Sequence, residues 1–115
     1  DLDKYFIDNY AYFIKSDNDI LGFVLIDDNR NNNYEISEIF VLNNYKRNKI
    51  GKEVAIKVFD MYKGNWTIKA VPNSKVAESF WKMVVKDYTN NNYIEKYTGK
   101  YNRLEIYFSN GDLDD

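Results

Sequence analysis

At 115 residues the chain has room for one domain and too few residues for two that fold independently. Hydrophobic residues make up 44% and aromatics 17%, with 11 Tyr, so one core can be filled and disorder is excluded as the default. Sixteen basic residues against eighteen acidic ones leave a formal net charge of -2, which gives no overall field for nucleic acid or an anionic membrane; any anion site has to be local. No apolar run approaches the roughly 20 residues that span a bilayer, and no secretion signal stands at the front, so a soluble, cytoplasmic protein is expected. Cysteine and histidine are both absent, which removes thiol nucleophiles, Ser-His and Cys-His pairs and the usual zinc sites. No metal site is expected. The chemistry falls to carboxylates, Tyr, Lys and backbone amides.

In chain order, Tyr10 to Lys15 is an aromatic and β-branched strand, Ser16 to Asp19 a turn, and Ile20 to Ile26 the second strand of a hairpin. Asp27 to Asn33 is polar and Asn-rich and predicts a mobile loop before the strand Tyr34 to Leu42. From Ile50 the period changes to that of a helix carrying Val54, Ala55, Val58, Phe59 and Tyr62, which Lys63-Gly64-Asn65 should stop with Gly64 in the left-handed conformation. Trp66 to Val71 follows as a strand closed by Pro72. Asn73 or Ser74 then caps a second helix with the stripe Val76, Ala77, Phe80, Trp81, Val84, Val85 and Tyr88. After the polar break Thr89 to Asn92, Tyr93 to Thr98 and Arg103 to Phe108 predict a closing hairpin, with a frayed tail from Ser109. The order implies an α/β (α+β) fold, one mixed sheet with helices packed on it, over a single domain of residues 1–115.

The junction between the third strand and the first helix, Val41 to Lys52, is the informative segment. A loop running into a helix start exposes unpaired amides at the positive end of the dipole, and Lys46, Arg47, Lys49 and Lys52 add charge, so the junction suits a diphosphate. Solvated basic residues beside a loop are the plainer alternative on local chemistry alone.

Tyr45 to Gly51 resembles the Tyr-Arg-Gly-Lys-Gly-Ile-Gly type of loop in the GCN5-related N-acetyltransferases (GNAT), with Lys46 at the pattern's leading Arg, Lys49 at its first Gly and Gly51 at its second. Asn73, Ala77, Phe80 and Trp81 are similar to the opening of that family's second helix. Gly64-Asn65-Trp66, Pro72-Asn73, Phe80-Trp81 and Tyr88-Thr89 resemble a group of small bacterial acetyltransferases in it. The resemblance implies a mostly antiparallel mixed sheet with two main helices and acetyl-CoA as acyl donor. It also implies a primary amine of a small molecule or protein as acceptor.

By this resemblance the backbone of Phe40, Val41 and Leu42 meets the acetyl and pantetheine portion. Lys46, Arg47, Asn48, Lys49, Ile50, Gly51 and Lys52 surround the pyrophosphate, and Asn73 and Phe80 also reach the coenzyme. Glu38 is the candidate base that takes the amine proton, with Glu35 as the fallback. Strict alternation sets the two on opposite strand faces unless a bulge intervenes. Trp81 stands where the family often has a Tyr that protonates the thiolate, which leaves Tyr88, Tyr93 and Tyr97 as substitutes or water as the proton source.

The family also implies a first strand and helices ahead of Tyr10. Asp1 to Asn9 has room only for the end of such a helix, so a truncated chain or a neighbouring subunit filling the gap is expected, with an open strand edge that favours a homodimer. The competing functions are a non-catalytic CoA-binding or interaction module and, through the basic junction with tyrosines for stacking, a single-strand nucleic-acid binder.

Overall fold

The computed structural model describes residues 2–4 (backbone only), 10–42 and 49–111. Among these residues seven strands and two helices follow in the order β1 (Leu2–Lys4), β2 (Tyr10–Ser16), β3 (Asp19–Asp28), β4 (Asn33–Val41), α1 (Ile50–Met61), β5 (Asn65–Lys69), α2 (Lys75–Thr89), β6 (Ile94–Thr98) and β7 (Arg103–Ser109). They form one sheet in the order β1-β2-β3-β4-β5-β7-β6. Every neighbouring pair is antiparallel except β4 and β5, which run parallel with α1 as their crossover. The mixed, mostly antiparallel sheet with two helices is the expected architecture.

Both helices cover the same face. Val54, Ala55, Val58 and Phe59 of α1 recur one turn apart and are buried, as are Trp81, Val84 and Val85 of α2. They meet Val24, Ile26, Ile36, Trp66, Ile68 and Ile106 in one core cluster. Phe59 is its centre, edge-on to Trp66 at 5.0 Å and to Phe108 at 4.9 Å. The Trp66 indole N–H donates to the Tyr62 carbonyl at 2.8 Å, so this large side chain is buried with its polar atom satisfied. Gly22 in β3 stands opposite Val41, and a Cβ there would lie 1.9 Å from the Phe40 carbonyl oxygen. Only glycine lets β3 press this close to the end of β4.

Four local expectations change. The segment 27–33 is a tight turn: β3 runs on to Asp28, and Arg30, Asn31 and Asn32 take left-handed φ of 70°, 56° and 61°. The Asn29 amide donates to the Asn33 carbonyl at 2.8 Å, and the Arg30 amide to the Asp28 carboxylate at 2.8 Å. Asn tolerates left-handed backbone, so its abundance here encodes a turn. Helix α1 ends on Tyr62 in extended conformation, and Gly64 serves close approach instead, since a Cβ there would be 2.1 Å from the Asn32 carbonyl oxygen. A first strand is present, and β1 pairs with β2 through Leu2 to Lys4, so part of the edge expected to lie open is occupied; residues 1 and 5–9 lie outside the described residues.

The fourth change is the tail. Asn110 is a hub: its side-chain oxygen accepts from the Gly64 amide at 2.8 Å, while its amide group donates to the Phe59 carbonyl at 2.7 Å and to the Tyr88 hydroxyl at 3.1 Å. One side chain thus ties the end of β7 to both helices. Replacing it strands partly buried partners, so Asn110→Ala should lower stability by about 1–3 kcal/mol. Urea unfolding checks this, and a midpoint equal to that of the parent chain would contradict it.

Candidate active site

The site begins at an irregularity in β4. Leu25 stands opposite Glu38 and Ile26 opposite Ile36, leaving Ser37 as an extra residue without a counterpart on β3. Before this bulge, β4 pairs with β5 from Asn33 opposite Asn65 to Ile36 opposite Ile68; beyond it the ladder ends. The strands part, and a cleft of about 580 Å³ opens between β4, the end of β5, the first turn of α1 and α2.

The bulge also resets the phase of the strand. Ile36, Ile39 and Val41 face the helices, while Glu35, Glu38 and Phe40 share the opposite face. Glu35 and Glu38 are therefore on one face, the case that strict alternation forbids. Main-chain directions follow the same phase. The Leu42 amide donates to the Leu21 carbonyl at 2.8 Å, so by antiparallel alternation Phe40 and Leu42 turn their polar groups to β3. Ile39 and Val41 turn theirs into the gap that β5 has left. Of the residues expected to make backbone contacts, Val41 turns its polar groups to the cleft, as does Ile39, which was not named from the sequence, while Phe40 and Leu42 turn theirs to β3. The consecutive polar pair Ser37-Glu38 between Ile36 and Ile39 is the sequence signal that could have revealed the bulge.

At the other end of the cleft, the first bond of α1 runs from the Glu53 amide to the Lys49 carbonyl at 3.1 Å. The amides of Ile50, Gly51 and Lys52 precede the ladder and have no intrahelical acceptor. Lys49 is the N-cap residue at φ 61°, and its side chain makes no capping hydrogen bond. Left-handed backbone costs a non-glycine residue on the order of 1 kcal/mol, so Lys49 keeps the conformation of a glycine without its freedom. By contrast, α2 is capped by Ser74, whose hydroxyl accepts from the Ala77 amide at 3.1 Å. Lys49, Gly51, Lys52 and Ser74 all line the cleft, whereas Asn73 is exposed in the preceding turn at φ 62°. Lys46, Arg47 and Asn48 lie outside the described residues.

Glu38 is exposed and lines the cleft. Glu35 lies outside the cleft wall and pairs with Lys69 at 3.6 Å, across strands that both turn this face to the outside. On the same face Glu105 accepts from Thr98 and Tyr107, and these bonds hold its carboxyl below the ordinary range, making it a weaker base. None of Tyr88, Tyr93 and Tyr97 lines the cleft. Tyr88 donates to Asp60 at 2.7 Å, with burial and then that bond raising its pKa, and the Tyr97 hydroxyl accepts from Lys82 at 3.0 Å. Trp81 does line the cleft, and carries no O–H. Among the described residues no group of His, Cys, Asp and Glu is placed to hold a metal, and no helix is long and apolar enough to cross a membrane.

The family model described as the acetyltransferase (GNAT) family matches residues 2–83, which include β4, the first turn of α1 and the cleft-facing part of α2. The chain belongs to the GNAT acetyltransferase family. Solved acetyltransferase structures share the fold at low identity. A Bacillus subtilis acetyltransferase in complex with CoA has a TM-score of 0.69 at 11% identity, over 89% of this chain and 77% of that one. The IAA acetyltransferase of Bacillus cereus has 0.64 at 14%, over 89% and 78%. A Bacillus anthracis protein in complex with acetyl coenzyme A has 0.58 at 20%; 92% of this chain is covered, but only 64% of that one. No curated protein matches this GNAT chain.

The Lys52 ammonium, one of the groups expected around the pyrophosphate, pairs with Asp87 of α2 at 2.6 Å and so ties the two helices together at the cleft. That bond, and then the charge of Lys52, lower the Asp87 pKa from 3.8. A lowered carboxyl pKa adds stability that is present above the unfolded value and lost as pH falls through the folded one. The decline of stability with falling pH below 3.8 should therefore be shallower in Asp87→Asn than in the parent chain. Urea midpoints measured from pH 5 to pH 2 check it; identical slopes would contradict it.

Proposed function

We propose that residues 1–115 act as one domain that transfers an acetyl group from acetyl-CoA to a primary amine of a small molecule or a protein. The observation that carries this reading is a single cleft joining the gap-facing main chain of Ile39 and Val41 to the first turn of α1, which the Lys49 side chain does not cap. The pantetheine arm carries amides that can bond to Ile39 and Val41 where β5 no longer does. The diphosphate suits the three amides without an intrahelical acceptor at the positive end of the α1 dipole, with the side chains of Lys49, Lys46, Arg47 and Asn48 as further candidate donors. CoA in the Bacillus subtilis neighbour and acetyl-CoA in the Bacillus anthracis one support the same donor.

Acetyl-CoA supplies the acetyl group as a thioester. An alkyl amine with a pKa near 10 must lose a proton to attack the carbonyl carbon. Glu38, the cleft-lining carboxylate on the outer face of β4, is the base that takes that proton, directly or through water. The C–N bond forms as the C–S bond breaks, and the electron pair leaves with sulfur. With Trp81 in the cleft wall and the three candidate tyrosines outside it, the thiolate takes its proton from water.

The same Trp81 favours a second reading, a CoA-binding module that does not turn over. Thiol release with a panel of primary amines separates the two. A catalyst releases thiol with at least one amine, and Glu38→Gln lowers its kcat by about 100-fold or more with the acetyl-CoA Kd unchanged, while Glu35→Gln stays within a few fold. Tight coenzyme binding without amine-dependent thiol release would favour the module. An undiminished rate in Glu38→Gln would remove Glu38 as the base.

A further inference from the structure

Trp81 is the largest side chain in the cleft wall and is only 7% exposed, facing the same cleft as Ile36, at 5%, and Ile39. These walls are apolar and close-packed. One turn further along α2, Val84 and Val85 are fully buried in the core, so an indole moving in that direction would have to displace packed side chains. Phe80 meets it edge-on at 4.9 Å and 72°. Phe80 in turn lies against α1 at Gly51, where a Cβ would stand 3.2 Å from the ring. Gly51, Phe80 and Trp81 thus form a stack from α1 to the cleft wall, and the missing side chain of Gly51 gives the stack its room.

We infer that Trp81 sets the length of the acyl group this cleft accepts, limiting it to acetyl or one carbon more. This rests on the acyl-CoA reading above. A thioester whose pantetheine arm runs along Ile39 and Val41 brings its acyl end to the fork at Ile36, in the cleft that Trp81 also lines. Each methylene beyond the available depth has to displace packed side chains. Discrimination by one methylene in an apolar pocket is typically about 10–200-fold.

The test is calorimetric titration of the purified chain with CoA, acetyl-CoA, butyryl-CoA and hexanoyl-CoA, which needs no knowledge of the acceptor. The parent chain should bind butyryl-CoA at least about tenfold more weakly than acetyl-CoA. In Trp81→Leu the ratio of the two dissociation constants should fall at least tenfold, a ratio that is insensitive to general weakening. Ile39→Ala opens the facing wall with a smaller packing loss and should move the ratio the same way, which keeps the test decisive should Trp81→Leu fail to fold. A folded variant with the parent ratio, or a parent chain that binds all the acyl lengths equally, overturns the assignment of Trp81 while leaving the acyl-CoA reading intact. A parent chain that binds neither CoA nor any thioester overturns both.

Discussion

One extra residue in β4 governs the rest of the structure. Backbone polar groups in a sheet have to find partners, and for four residues β4 and β5 supply them to each other. Ser37 breaks that arrangement. The strands then diverge, the amides and carbonyls of Ile39 and Val41 lose their neighbour, and a strand-like ligand becomes the natural replacement. The same residue turns Glu38 onto the face that already holds Glu35, so the carboxylate proposed as base stands on the opposite side of the sheet from the helices. A cleft that passes between the two faces can take a donor from one side and an acceptor from the other.

The helices hold this gap open by being fixed to each other and to the sheet. Phe59, Trp66, Phe108 and Tyr88 form a continuous aromatic cluster behind the cleft, and Asn110 binds the end of β7 to it. Lys52 and Asp87 join α1 to α2 at the cleft itself. With its frame held this way, the first turn of α1 keeps the amides of Ile50, Gly51 and Lys52 in a set position at the cleft, which suits the anion role proposed for them. The two helices use opposite strategies at their starts. Ser74 satisfies the first turn of α2, and nothing on Lys49 does so for α1.

Both helices and the strands from β2 to β7 were legible because they follow from period and turn chemistry. The stripe Val54-Ala55-Val58-Phe59 and the stripe Trp81-Val84-Val85 declare themselves by spacing alone. Glu38 was legible as a strand carboxylate near the loop. Its face was not, because a bulge displaces every later residue by one step. Phe40, Val41 and Leu42 came from the family resemblance as one consecutive run, which does not register that main-chain direction alternates along a strand. The Asn-rich stretch after β3 misled because left-handed turns and solvated loops draw on the same residues. Asn110 gave no local signal at all: its partners Phe59, Gly64 and Tyr88 are distant in the chain and come together only on folding.

The account stands on two main-chain amides. Hydrogen exchange of individual backbone amides, followed by NMR with and without saturating acetyl-CoA, reads them directly. The amides of Ile39 and Val41 should exchange fast in the free chain and be slowed at least tenfold by the ligand, while those of Phe40 and Leu42, bonded to β3, stay slow in both states. Ile39 and Val41 amides that are already slow in the free chain, or that do not respond to the ligand, would contradict it.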